Sequence, residues 1–205
     1  MYHGERFNSI THLLGAIAAA VGLFWLVWSA VQQGGLLKIV SFTLYGATLL
    51  LLYLASTFYH SVRGRLKPLL QKLDHCAIYL LIAGSYTPLT LVTLNGAWGW
   101  SLFGVIWGLA LIGIITDSFS RNPRRIVPMV IYLLMGWLIV VAIYPVSQAL
   151  PTGGLVWLVI GGLFYSGGIF FYLRDEVMRH AHGIWHLFVL AGSISHYIVV
   201  AWYVV

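Results

Sequence analysis

The chain has 205 residues, of which 60% are hydrophobic and only 8% charged, against about 25% charged in an ordinary soluble domain. At a mean hydropathy of +0.91, a water-soluble core could not hide so much apolar surface, so lipid must be part of the solvent. The formal net charge of +6 would suggest a nucleic-acid partner in a soluble protein. In a membrane protein it reads as loop charge that sets topology, and no nucleic-acid partner is expected. Cys76 is the single cysteine, so no intrachain disulfide can form.

Apolar stretches long enough to cross a bilayer, about 20 residues each, fall near 10–31, 38–60, 73–94, 99–117, 127–146, 154–173 and 183–204. The first is too long for the core of a signal peptide and lacks a basic leader and a small-residue cleavage site, so it is read as a span. Turn residues separate the spans: Gly34-Gly35, Gly64 with Pro68, Asn95-Gly96, Asn122-Pro123, and Pro151 with Gly153-Gly154. The predicted fold class is all-α, a seven-transmembrane helical bundle that forms one integral membrane domain over residues 1–205. Pro88 falls inside the third span and Pro145 near the end of the fifth, where neighbouring groups must satisfy the freed carbonyls. Gly104 and Gly108 form a GxxxG pair in the fourth span, and Gly161, Gly162, Gly167 and Gly168 thin one side of the sixth. Both patterns suit close helix packing.

Ionisable groups inside a span are costly and therefore informative. His60 ends the second span, Asp74 begins the third, and His182 and His186 begin the seventh. The topology puts all four within about two helical turns of one membrane face. His182 and His186 are spaced i and i+4, on one helix face, as are Ser56 and His60. Three neutral imidazoles and a water make a tetrahedral zinc site with an open fourth position, the catalytic pattern. Asp74 would then take or orient the water's proton, and Ser56 would donate a hydrogen bond to a polarised oxygen. The residues alone leave a second reading open, in which these are interfacial histidines bonded to backbone or headgroups.

The other polar residues are read as less central. His12 lies near the same face, beside the ligands or in a structural role. His75 points about 100° away from Asp74. His196, about 15 Å further along its helix than His186, suits an interhelical hydrogen bond. His3 and His180 are expected at the surface, Asp117 to pair with Arg121, and Glu5 and Asn8 to cap or anchor the first helix.

Four segments, ERFNSITHLLG (5–15), STFYHS (56–61), LDHCAIYLLIAGSYTP (73–88) and HGIWHLFVLAGSISHY (182–197), resemble the hemolysin III family of bacterial inner-membrane proteins. That family sits within the progestin and adiponectin receptor superfamily. The resemblance covers nearly the whole chain. It implies a zinc held by His60, His182 and His186, a water held by Asp74, and Ser56 beside the site. It also implies residence in the bacterial inner membrane. Through the wider superfamily's similarity to alkaline ceramidases, it implies hydrolysis of a lipid amide or ester, with membrane lipid as substrate. The alternatives are a non-enzymatic regulator of lipid composition or membrane energetics with a structural zinc, and the cytolytic activity in the family name. A transporter would need charges or broken helices near the midplane, where only His196 and Pro88 lie.

Orientation follows from the basic residues. Arg6, the second loop (Arg63, Arg65, Lys67, Lys72), the fourth (Arg121, Arg124, Arg125) and the sixth (Arg174, Arg179) together hold all of the 11 Lys and Arg except Lys38. The positive-inside rule makes that side cytoplasmic, with the N-terminus inside and the C-terminus outside. Reporter fusions at the two termini are expected to report opposite sides of the membrane; a cytoplasmic C-terminus would show that the helix count is wrong.

Overall fold

The computed structural model describes residues 4–119 and 126–204. His3, the Asn122-Pro123 turn, Arg121, Arg124 and Arg125, and with them the expected Asp117–Arg121 pair, lie outside these residues. Among the described residues there are seven helices long and apolar enough to span a membrane: α1 (Arg6–Gln33), α2 (Leu36–Ser61), α3 (Lys67–Leu94), α4 (Gly96–Phe119), α5 (Ile126–Ala149), α6 (Thr152–Tyr172) and α7 (Ala181–Tyr203). No strand occurs among these residues. The protein is an all-helical, multi-pass membrane protein.

Polar–apolar segregation is inverted relative to a soluble bundle. Large apolar side chains such as Phe24, Val21 and Phe119 face outward, while Ser9, Ser41, Ser56, Thr87, His12, His60 and His186 are buried between helices. Helix α1 packs on α2 and α7, α2 on α3, α3 on α4, and α6 on α7. Because lipid tails are as apolar as leucine, close contact and interhelical hydrogen bonds must hold such a bundle. Both are present. A side chain at Gly84 would collide with Thr48 across α2–α3, one at Gly161 with the His196 ring and one at Gly168 with Trp185 and Phe188 across α6–α7. The Tyr53 hydroxyl donates to Ser193 Oγ at 2.7 Å, with Tyr165 at 2.9 Å from the same oxygen, and Tyr197 donates to the Gly22 carbonyl at 3.0 Å. His196 makes its contact with the neighbouring helix at the Leu158 carbonyl, 3.2 Å away. The GxxxG pair in α4 differs from expectation: a side chain added at Gly104 or Gly108 would meet nothing within 4 Å, so this face packs on no other helix among the described residues.

The two membrane prolines mark departures from α-helix. After Pro88, α3 continues as a π-helical turn over Leu89–Leu94. In α5 a 3₁₀ segment, Leu138–Ala142, precedes the last helical piece, which carries Pro145. Lipid offers no partner for the backbone groups released at the α5 break. Tyr86 supplies one from α3: its hydroxyl donates to the Gly136 carbonyl and accepts from the Ile139 N–H, both at 2.9 Å.

Replacing Tyr86 with Phe keeps the ring and orphans both groups, which costs about 1–3 kcal/mol for each left unsatisfied. Thermal unfolding in detergent is therefore expected to show a clearly lowered midpoint for Tyr86→Phe; an unchanged midpoint would mean that the break satisfies itself.

Candidate metal centre

Chain order brings three helix ends together. Helix α2 finishes at this face with His60 in its last turn, and α7 begins there with His182 and His186 one turn apart. The N-terminal turn of α1 lies beside them, since Glu5 reaches both His60 on α2 and Lys67 on α3. Buried helix ends and close glycine contacts fix the spacing: Gly183 lies under Phe7 and Asn8, so α7 seats directly on the start of α1.

The three imidazoles form a nearly equilateral group, with ring centroids 5.0 Å apart for His60–His182, 5.0 Å for His60–His186 and 4.8 Å for His182–His186. One nitrogen of each ring is held by the protein. His60 Nδ1 donates to Glu5 Oε2 at 2.7 Å, and His182 Nδ1 to Asp175 Oδ2 at 3.1 Å. His186 Nδ1 donates to the Asn8 carbonyl at 3.2 Å, with Thr11 Oγ1 at 3.3 Å. Carboxylate and carbonyl oxygens only accept, so these partners place the proton on Nδ1 and leave the Nε2 lone pair free. All three Nε2 atoms are buried and have no hydrogen-bond partner among the described residues.

Such orphaned polar atoms cost about 1–3 kcal/mol each and rarely persist in a native interior. Here they come from residues whose candidate ligand atoms all lie within 4.8 Å of one another. A tetrahedral ion with nitrogen ligands at about 2.0–2.1 Å would set them roughly 3.3 Å apart. The donor set fits a borderline-soft divalent ion: three neutral imidazoles, each backed by an oxygen acceptor that aims the ring. The cluster can hold a metal ion.

Two cavities flank it. One, of about 680 Å³, is bounded by Glu5, Asn8, Tyr59, His60, Asp175 and His182 at the face where α1 begins. The other, of about 150 Å³, runs inside the bundle from His12, Asp74 and His75 to Trp137, Tyr165 and His196, and its walls are mostly apolar. Asp74 is buried and lines this inner cavity; it is outside the convergent histidine set. Ser56 is buried one turn before His60, and its hydroxyl has no partner among the described residues. His12 stacks on His186, with centroids 3.6 Å apart and planes 13° from parallel, and meets Tyr53 edge-on. Neither of its ring nitrogens has a hydrogen-bond partner among the described residues. His180 is exposed, as expected for it.

The acceptors behind the rings are what sequence reasoning missed. Glu5 stands at the N-cap position of α1 without capping it; its carboxylate turns instead to His60, Asn8 and Lys67. Burial pushes this carboxyl up, but hydrogen bonds from His60 and Asn8 and the charge of Lys67 hold it below the ordinary carboxylate range, so it is ionised at neutral pH. Composition holds only a coarse signal, which does not say which ring each carboxylate meets. The chain has only 5 Asp and Glu, and Glu5, Asp74 and Asp175 all fall at this one end of the bundle.

A family model described as "Haemolysin-III related" matches residues 1–197. The chain is 44% identical to Hemolysin-3 of Bacillus cereus, over 98% of this chain and 91% of that protein. It is 41% identical to the Hemolysin-3 homolog of Bacillus subtilis (strain 168), over 98% and 94%. It is also 27% identical to the adiponectin receptor protein of Drosophila melanogaster, over 95% of this chain and 49% of that longer protein. A seven-helix membrane bundle matched along nearly its whole length by this family model and by two Hemolysin-3 proteins belongs to the haemolysin III-related family.

Proposed function

We propose that this protein is a zinc-dependent hydrolase of a lipid amide or ester, set in the bacterial inner membrane with its N-terminus and the histidine cluster toward the cytoplasm. The observation that carries the reading is a cluster of three histidines whose candidate ligand atoms lie within 4.8 Å of one another and whose buried Nε2 atoms have no partner among the described residues, next to a mostly apolar inner cavity lined by Asp74. A structural zinc normally takes four protein ligands; three histidines leave one position for water or substrate.

His60, His182 and His186 would hold the ion through Nε2. Zinc, when bound there, supplies Lewis-acid polarisation of a carbonyl and lowers the pKa of water. The chain's own residues do the rest. Asp74 accepts a proton from the attacking water and returns it to the departing amine or alcohol. The Ser56 hydroxyl, buried without a partner one turn from His60, is available to donate to the carbonyl oxygen as negative charge builds on it. The apolar cavity walls receive the hydrocarbon part of the substrate and keep bulk water out.

The test uses tag-free protein purified without added metal. Near-stoichiometric zinc is expected in the wild type and in Asp74→Asn, and loss of zinc in the double variant His182→Ala, His186→Ala. Against a panel of long-chain amides and esters, Asp74→Asn should be slower by about 100-fold or more. If wild type and Asp74→Asn show equal, near-zero turnover across the panel, the hydrolase reading fails and a regulator with a structural zinc takes its place.

A further inference from the structure

The N-terminal turn of α1 supplies no metal ligand, yet it touches two of the three rings. Glu5 Oε2 receives the His60 proton at 2.7 Å and an Asn8 amide proton at 2.8 Å, while its other oxygen meets Lys67 at 3.4 Å. Asn8 then offers its backbone carbonyl to His186. The Thr11 hydroxyl donates to the carbonyls of Phe7 and Asn8, both at 2.9 Å, and so stiffens the turn that presents this acceptor. One and a half helical turns of α1 therefore brace a ring on α2 and a ring on α7, two helices whose histidines are more than a hundred residues apart.

A role in folding alone explains this poorly. A carboxylate at an N-cap position normally serves its own helix by accepting a backbone N–H, and Glu5 makes no such bond. Its strongest contact is spent on an imidazole whose other nitrogen is orphaned. A carboxylate behind a histidine fixes the tautomer and ring direction and raises the basicity of the far nitrogen. The backbone carbonyl of Asn8 does the same for His186, with no charge.

We propose that Glu5 and the Asn8 carbonyl are positioning groups for the metal, so that seating of the N-terminal turn and metal occupancy stabilise each other. The proposal rests on the reading of the histidine cluster as a metal site. By linkage, whatever lifts this turn from the bundle weakens metal binding by the factor by which metal strengthens its seating. Gly183 offers an independent way to lift it, because a side chain there would run into the Phe7 ring and sit 2.9 Å from Asn8 Oδ1.

The experiment titrates tag-free, metal-stripped full-length protein in detergent with Co²⁺ alone and follows the visible d–d bands. Thermal unfolding is measured in parallel with chelator present. For Glu5→Ala the expected result is a 10–100-fold weaker cobalt affinity and altered d–d bands, with the chelated midpoint unmoved. Glu5→Gln, which keeps an oxygen acceptor for His60, should recover part of the affinity. Gly183→Ala, with every ligand and Glu5 intact, should also weaken cobalt binding. Equal affinity in wild type and Glu5→Ala would overturn the proposal, as would a loss matched by an equally lowered midpoint in chelator. Wild-type protein that takes up no cobalt would instead overturn the metal reading on which the proposal stands.

Discussion

An imidazole has two nitrogens, and where both are buried between helices each needs a partner that the protein or a ligand supplies. The chain meets this constraint in a lopsided way at three histidines. Each Nδ1 is given an oxygen acceptor, and each Nε2 is left buried without a partner among the described residues, in a cluster whose candidate ligand atoms lie within 4.8 Å of one another. The result is locally unfavourable until something accepts three lone pairs at once. Proteins tolerate such strain in polar satisfaction mainly where a ligand relieves it. The surrounding packing makes sense as the means of holding the rings there. His186 is clamped by His12 on its face, by the start of α1 at its Nδ1, and by the absence of a side chain at Gly183.

The bundle serves that placement in two ways. An odd number of crossings and short turns put the end of α2, the start of α3 and the start of α7 at one face together with the N-terminus. Above the site the helices draw close at glycines and are tied by hydroxyl bonds, with Ser193 joining Tyr53 of α2 to Tyr165 of α6. Where α5 departs from regular helix, Tyr86 restores the lost backbone partners without closing the inner cavity that it also lines. Breaks near a cavity are a membrane fold's way to shape one, because irregular backbone is tolerated only where protein or cavity surrounds it.

Much of this was legible from residues alone, for stated reasons. Hydropathy over about 20 residues is a strong signal because the bilayer fixes the length it must match, and the seven helices lie close to the expected spans. Topology then placed His60, Asp74, His182 and His186 at one depth, and the structure brings the three histidine rings around one point, with Asp74 facing the neighbouring cavity. Other features were illegible because they depend on side-chain direction across helices. Glu5 was expected to cap or anchor α1; it makes no cap, and that it ties the helix to His60 and Lys67 could not be read from its position. Asp175 lies seven residues before the ring it touches, in a turn whose path no periodicity predicts. Gly104 and Gly108 carried a packing motif, but a motif cannot say whether a partner lies opposite it, and among the described residues none does. The prolines announced disruption without saying what kind: a π-helical turn follows Pro88, and a 3₁₀ segment comes ahead of Pro145.

The central claim is that His60, His182 and His186 direct Nε2 at one ion that keeps an open position. X-ray absorption at the zinc edge of tag-free, zinc-loaded protein tests it most directly. The account predicts three imidazole nitrogens at about 2.0–2.1 Å, with their characteristic multiple scattering, and one oxygen ligand. A spectrum of oxygen ligands alone, or one requiring sulfur from Cys76, would contradict it.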